Sequence, residues 1–429
     1  MSKEKISLFT TSCDGDKSND KGELCVFYKC EKDSLVKEVL GKRPGWTEVS
    51  NDYEWDFHWC NVTWLRKKFV HSQMKKNARI NHFPNNYELT MKNLMARNLR
   101  KYQKMSSKDS SCLGVYDFFP ETFQMPIDYH LFVEHFKRYP GSIWIMKPAA
   151  SSQGKGIFLF KDLKDIMNWK KTRVTPKEGK EELKPPVYVA QRYIEDPYLI
   201  NGRKFDLRIY VLVTSFTPLK AWLYRDGFAR LSGPRFFLNS IHDKFVHLTN
   251  VAIQKKAPGY DGDKFGKWNL QQLRRYLTAK HHRADVEMLF KMIDNIIISS
   301  LLSVQNIIIN DKHCFELYGY DILLDQYLKP WLIEVNASPS MTPSSQDDHL
   351  LKYRLLEDTL NIIDMEGRLS GSEKRVGGFD LIWDDGLVFR EDVDMDRLGM
   401  STIIANSHLG CVNDRENHIY QLWKPFSYL

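Results

Sequence analysis

The run Trp331-Leu332-Ile333-Glu334-Val335-Asn336 sets a carboxylate and a carboxamide two residues apart inside an apolar stretch. Strand side chains alternate between faces, so Glu334 and Asn336 point one way while Ile333 and Val335 point the other. Upstream lies a second apolar run, Tyr318 to Leu324, carrying a lone acid, Asp321, and the Asp325-to-Pro330 link is short enough for a hairpin. Paired in this way, Asp321, Glu334 and Asn336 bring three oxygen ligands to one sheet face. Unpaired buried carboxylates cost roughly several kcal/mol. Two readings follow: a hard cation such as Mg2+ bound together with nucleotide phosphates, or structural Arg or Lys partners for the two acids. The pattern favours the cation.

Two further stretches carry chemistry. Trp144 to Pro148, then Gln153-Gly154-Lys155-Gly156-Ile157-Phe158-Leu159-Phe160, reads as strand, glycine loop, strand. Glycines let backbone N–H groups approach an anion closely, and Lys147 and Lys155 add charge. The loop is neither a Walker loop nor a Gly-x-Gly-x-x-Gly turn. A flexible lid over phosphates is the functional reading, and a hairpin turn with solvating lysines is the bland one. In Lys204 to Val213, charged residues 204, 206 and 208 share one face and Phe205, Leu207, Ile209 and Val211 the other. Near the metal strands Lys204 would neutralise phosphate while Asp206 holds a nucleotide or orients a cation; a salt-bridged surface face is the alternative. His247 and Thr249 also share a face, where a lone His is more often structural than catalytic.

Length and charge bound the rest. At 429 residues the chain exceeds the size at which single cores stop growing, about 250–300 residues, so two or three subdomains are expected. The longest apolar candidate, Ile296 to Ile309, is interrupted by Ser299, Ser300, Ser303, Gln305 and Asn306, and no membrane span is expected. The N-terminus opens with Lys and Glu and lacks a continuous apolar run, so no secretory signal is expected. Seven scattered cysteines without a Cys-x2-Cys pair argue for reduced thiols, against a disulfide framework and against a zinc site. The net charge of +8 is unevenly spread: between Asn61 and Lys104 eleven bases (Arg66, Lys67, Lys68, Lys75, Lys76, Arg79, Lys92, Arg97, Arg100, Lys101, Lys104) face one acid, Glu88. Such a patch suits a polyanion, whether nucleic acid or acidic polypeptide; a solvated helix face is the competing reading.

Along the chain, residues 1–45 read as a mobile tail, with order beginning at Trp46. Residues 46–140 read as an N-terminal subdomain with Trp55, Phe57, Trp59 and Trp64 in its core and a basic helix over Tyr87 to Tyr102. A strand-rich central subdomain spans 141–250, interrupted by an exposed loop over Lys170 to Pro186. A third subdomain, 251–365, alternates helices (Asn269 to Leu277, Ala284 to Val304) with the acid-bearing strands. Residues 366–429 read as a tail, with eight acids against four bases between Glu373 and Met400.

The order of these motifs is more specific than any one of them. Lys147-Pro148 with Gln153 to Ile157, Gln191-Arg192-Tyr193-Ile194, Lys204 to Arg208, His247-Leu248-Thr249-Asn250, Tyr320-Asp321 and Ile333 to Ser340, together with Asn81-His82-Phe83-Pro84-Asn85, resemble the ATP-grasp ligases. Within them the likeness is to the tubulin tyrosine ligase-like family, its short polyglutamylases above all, over roughly Trp46 to Asp364. The resemblance implies an α/β (α+β) ATP-grasp fold with N-terminal, central and C-terminal subdomains, and ATP and Mg2+ as cofactors. It implies that Lys147, Gln153, Gly154, Lys155, Gly156, Gln191, Arg192, Tyr193, Ile194, Lys204, Asp206, Thr249 and Asn250 bind ATP. Asp321, Glu334 and Asn336 would carry Mg2+; Lys204, Arg208 and Glu334 would be catalytic; Arg230 and Lys267 would contact the incoming amino acid.

The implied reaction is ATP-dependent addition of free L-glutamate to glutamate side chains in the acidic C-terminal tails of tubulin, through an acyl phosphate. Microtubules and partner subunits are the implied partners, without nucleic acid or membrane insertion, in the cytoplasm and cytoskeleton and at the cilium, flagellum or basal body. A departure from the family is the short, partly acidic stretch after residue 365, where autonomous glutamylases carry a long basic extension; this sets the expectation of work within a complex. Rivals are a same-fold ligase adding glycine or tyrosine and a catalytically idle microtubule- or nucleic-acid-binding module. Lys267 favours glutamate. The intact set Lys147, Lys204, Asp321, Glu334 and Asn336 argues against an idle module, which has no need of it.

Overall fold

The computed structural model describes residues 25–31, 34–51, 54–69, 74–106, 117–150, 154–166, 187–259, 267–390 and 404–423. The first sheet is built from β1 (Val26–Cys30), α1 (Leu35–Lys42), β2 (Trp46–Glu48), β3 (Phe57–Trp59), α2 (Val62–Lys68) and β4 (Arg79–Ile80). Its order is β2-β1-β3-β4 with every pairing parallel. Parallel neighbours need a crossover, not a tight turn, and α1 supplies the one between β1 and β2. Leu35, Val36, Val39 and Leu40 form the apolar stripe of α1, and with Val26 and Tyr28 they are buried. The expectation of a mobile tail through residue 45 is therefore corrected: order begins before Trp46. Residues 1–24 lie outside the described residues.

The second sheet follows α3 (Tyr87–Thr90) and α4 (Lys92–Ser106), which replace the single expected helix; at Met91, between them, the backbone is extended. It comprises β5 (Thr122–Met125), β6 (Trp144–Pro148), β7 (Phe158–Phe160) and β8 (Tyr188–Arg192), in the order β5-β8-β6-β7 and antiparallel throughout, with α5 (Tyr129–Arg138) on its face. Phe123, Phe132, Trp144, Phe160 and Tyr188 make its core. The expected loop over residues 170–186 falls outside the described residues.

The third sheet carries the chemistry. Its elements, in chain order, are β9 (Leu199–Ile200), β10 (Arg203–Phe216), β11 (Leu219–Leu231), α6 (Lys244–His247), α7 (Val251–Gln254), β12 (Lys267–Asn269), α8 (Leu270–Lys280), α9 (Arg283–Leu302), β13 (Glu316–Leu324), β14 (Pro330–Asn336), α10 (Gln346–Ile363), β15 (Arg375–Val376), β16 (Phe379–Asp384) and α11 (Arg415–Trp423). The strand path is β14-β13-β10-β11-β16-β15, with β12 on β11 and β9 on β10. The expected hairpin of the two acid-bearing strands is β13–β14, with Asp321 directly opposite Glu334.

The period-two pattern of β10 decides where the site falls. Phe205, Leu207, Ile209, Val211 and Val213 pack into one core with residues of α8 and α9. On the other face Tyr210 and Leu212 join a second core with α1 and α10, whereas the opening positions Lys204, Asp206 and Arg208 stay polar.

The tail expected over 366–429 is also corrected. β16 pairs with β11, Phe379 and Leu381 are buried in the second core, and Arg225 grips the buried Asp380 while Arg415 grips Asp358. The sheets do not follow the expected boundaries either. β5 precedes residue 140 yet pairs with β8, and β10 precedes residue 250 yet pairs with β13. Among the described residues no helix is long and apolar enough to cross a membrane.

Candidate active site

Strand register writes the site as two rows of charge. Glu334 on β14, Asp321 on β13 and Arg208 on β10 are cross-strand neighbours, and so are Asp206 on β10, Arg230 on β11 and Lys267 on β12. Arg208 donates to Asp321 from Nε at 2.6 Å and from Nη2 at 3.1 Å. Arg230 donates to Asp206 from Nε at 2.8 Å and lies 2.8 Å from Asp321. Gly319 leaves room for this fork: a Cβ there would sit 2.9 Å from Pro339 Cβ and 3.2 Å from Arg208 Cδ.

Like charges placed directly opposite on a sheet destabilise it, so the Asp321–Glu334 pair needs counter-charge. Burial pushes the Asp321 carboxyl up, and Glu334 adds to that push against the opposing Arg208 and Arg230. Burial also acts to raise Glu334, but Lys92, at 2.9 Å, together with a hydrogen bond to Asp321 and the charge of Lys147, outweighs it and holds that carboxyl well below the usual range. Both acids thus have Arg or Lys partners, the bland reading of the sequence, while both also line the cleft described next. The donor set, two carboxylates and the Asn336 amide, is the all-oxygen kind that Mg2+ takes when phosphates complete its shell. Among the described residues no group of three His, Cys, Asp or Glu is arranged to hold a metal ion.

One cleft is lined by Lys92, Ile145, Lys147, Gly154, Ile157, Gln191 to Ile194, Lys204, Asp206, His247 to Asn250, Asp321, Leu323, Ile333 and Glu334. Lys147 donates to Gln191 Oε1 at 2.6 Å. Burial, with Lys92 adding to it, lowers the Lys147 ammonium to about 8. Burial likewise lowers Lys204 to about 7, against the pull of Asp206. Lys204 donates to the Tyr193 hydroxyl at 2.9 Å and to the His247 carbonyl at 3.1 Å. His247 bonds Tyr193 OH through Nδ1 and the Ser240 carbonyl through Nε2, so it braces the lysine. Gly154 has φ +71°, a backbone conformation that L side chains rarely adopt, and faces the tip of the Ile253 side chain, so glycine suits this turn.

A second cleft shares Asn250 and Glu334 with the first and continues over Arg208, Arg230, Lys255, Lys267, Asn336, Ser338, Ser340, Ser344 and Lys352. Lys267 and Lys352 both bind the buried Asp348, at 2.6 and 3.1 Å, and Ser344 donates to the same carboxylate. Burial lowers the Lys352 ammonium to about 8, reinforced by Lys267. Two ammonium groups on one carboxylate leave surplus positive charge at this wall.

The structure therefore brings together Lys147, Gly154, Gln191, Arg192, Tyr193, Ile194, Lys204, Asp206, Thr249, Asn250, Asp321 and Glu334 in the first cleft, and Arg208, Arg230, Lys267 and Asn336 in the second. Lys155 and Gly156 follow Gly154 on the glycine loop without lining the first cleft, and Gln153 lies outside the described residues. The Arg230 guanidinium is held by Asp206 and Asp321 on the wall of the second cleft. Sequence reasoning missed three contributors. Lys92 was counted in the basic run, and Asp348 and Lys352 sit on α10 at an i,i+4 spacing that helices commonly use for ion pairs.

Residues 70–370 match the tubulin-tyrosine ligase family. The chain belongs to that family. It is 56% identical over 426 residues to a protein named "Probable tubulin polyglutamylase TTLL9" from Bos taurus, covering 93% of this chain and 92% of the relative. It is 45% identical over 386 residues to "Probable tubulin polyglutamylase ttll-9" from Caenorhabditis elegans, covering 89% and 91%. It is 44% identical over 387 residues to "Probable alpha-tubulin polyglutamylase Ttll1" from Tetrahymena thermophila, covering 83% and 92%.

Proposed function

We propose that this chain is an ATP-dependent tubulin polyglutamylase with an ATP-grasp arrangement of its sheets. The observation that carries the reading is the meeting of two clefts at Glu334 and Asn250, one with two buried lysines and one with a cationic wall. ATP occupies the first, its adenine against Gln191 to Ile194, its phosphates against Lys147 and Lys204 under the glycine loop at 154–156, with Asp206, Thr249 and Asn250 completing the contacts. Asp321, Glu334 and Asn336 would hold Mg2+, which neutralises charge on the phosphates when bound.

A carboxylate is a poor electrophile. The acceptor glutamate side chain of a tubulin tail therefore takes the γ-phosphoryl group of ATP, giving an acyl phosphate and ADP. The amine of free glutamate then attacks the acyl carbon, forming an isopeptide bond and releasing phosphate. Arg208, Arg230 and Lys267 attract the carboxylates of that glutamate. The exposed bases of α2 and α4 face the acidic tail, and the setting is the cytoskeleton of cilia, flagella and basal bodies, with partner subunits. The test is mass spectrometry of tubulin tail peptides after incubation with ATP and equimolar glutamate, glycine and tyrosine. ATP-dependent glutamate branches are expected; glycine or tyrosine additions, or none under any partner condition, would overturn the reading.

A further inference from the structure

The run Asn81-His82-Phe83-Pro84-Asn85 has no task in the reaction above, yet its hydrogen bonds lead to the second cleft. Asn81 Oδ1 accepts from the Cys60 backbone N–H at 2.8 Å, which sets the orientation of the amide. Asn81 Nδ2, 3.2 Å from His82 Nε2, must then donate to it. Nε2 is thereby an acceptor, and the imidazole proton sits on Nδ1, which donates to Glu316 Oε1 at 2.6 Å. Glu316 also accepts from the Phe83 backbone N–H at 2.8 Å and from the Asn86 amide at 3.3 Å. Asn81, His82, Asn86 and Glu316 are all buried.

One further group reaches this network from the cleft. Ser338 Oγ lies 3.4 Å from His82 Nε2, and Ser338 is exposed on the cleft wall. Nε2 carries no proton, so in this contact the serine hydroxyl is the donor, sharing the single Nε2 lone pair with Asn81, and its own lone pairs stay free toward the cleft. We propose that Ser338 is a hydrogen-bond acceptor for the ammonium group of the incoming amino acid, with His82 as the positioning residue that orients it. The proposal rests on the ligase reading above. Charge in the cleft supports it: Lys267 and Lys352 share the one carboxylate of Asp348 and leave a positive wall that attracts carboxylates and repels an ammonium, while Glu334 is engaged by Lys92. The neutral, outward-facing oxygen of Ser338 meets neither obstacle.

The test compares glutamate with glutarate, which has both carboxylates and no amino group, in the full-length protein with its partners. Ser338→Ala is expected to raise the glutamate KM about tenfold or more, the worth of a hydrogen bond to a charged group, and to leave the ATP KM and the inhibition constant of glutarate unchanged. Ser338→Thr, which keeps the hydroxyl, is expected to restore most of the loss. His82→Gln should show the same selective loss, and the double variant no more than either single one. An unchanged glutamate KM in Ser338→Ala, or equal weakening of glutamate and glutarate, would overturn the assignment of Ser338, and an additive double variant would remove His82 from it. Failure of the ligase reading is separate, because the wild-type protein would then incorporate no glutamate at all.

Discussion

Glu334 is the residue on which both clefts turn, and its charge is the property at stake. Glu334→Gln removes that charge at nearly constant volume while Lys92 keeps a polar neighbour. Ligase activity is expected to fall by roughly 10²-fold or more, the scale for losing one electrostatic stabiliser of a transition state, with the circular dichroism spectrum unchanged. A variant with near-normal turnover that still requires Mg2+ would sink the assignment. The buried lysines carry a second prediction. Lys204 at about 7 and Lys147 at about 8 are partly neutral in the free protein at pH 8, and polyphosphate raises both by supplying opposite charge. ATP binding should therefore take up protons at pH 8 and weaken as pH rises above about 7. At pH 6, where both lysines are already charged, no uptake is expected. Calorimetry in buffers of different ionisation enthalpy reads this directly, and no net uptake at pH 8 would separate the lysines from the phosphates.

At the scale of elements, legibility tracked the locality of the signal. β10 and β14 announce themselves by alternation and β13 by an apolar run with a lone acid, and with them came Asp321, Glu334, Asp206 and Arg208. α8 begins at a capping box, with Asn269 and Gln272 bonding each other's backbone, close to where the pattern predicted it. β1 is only five residues and pairs in parallel with β2 and β3, so no turn signal marks it; β16 joins β11 across more than 150 residues of chain. Lys92 hid in a basic run because nothing local separates a lysine that points outward from one that points into a cleft. The remaining run is now sorted by contact. Lys75 is paired with Asp56 and Arg97 with Glu88; Arg66, Lys67 and Lys68 are exposed in the last turn of α2, with Lys76 exposed nearby. Cations there suit a helix C-terminus, and they also suit an acidic tail. Changing Lys67, Lys68 and Lys76 together to Gln should weaken microtubule binding several-fold and flatten its salt dependence, since exposed contacts are screened over about 8 Å at physiological salt. Cosedimentation across a salt series checks this; an unchanged slope would leave these bases as solvated surface.

At the scale of the whole molecule, the family match and the folding unit differ in extent. The match spans residues 70–370, but the second core does not stop there. Among the described residues, eleven of its 25 buried members lie outside that span: Val26, Tyr28, Leu35, Val36, Val39, Leu40, Trp46, Phe57, Val376, Phe379 and Leu381. They share that core with Leu351, Leu355, Leu356 and Leu360 of α10, and α1 and β15 pack directly against that helix. Exposing a large apolar side chain costs about 1.5–3 kcal/mol, so four leucines alone approach the whole stability of a typical domain, about 5–15 kcal/mol. Cutting at 370 also removes Asp380 from Arg225 and Arg415 from Asp358, leaving Arg225 and Asp358 buried without their partners, a loss of roughly 3–5 kcal/mol for each broken pair. α10 in turn holds Asp348 and Lys352 at the second cleft, so this damage reaches the site through the helix. A fragment limited to residues 70–370 is therefore expected to be insoluble or to lack a cooperative thermal transition, while the full chain melts cooperatively. A soluble fragment melting within a few degrees of the full chain would show that the second core is dispensable and that the flanking segments serve something other than the fold.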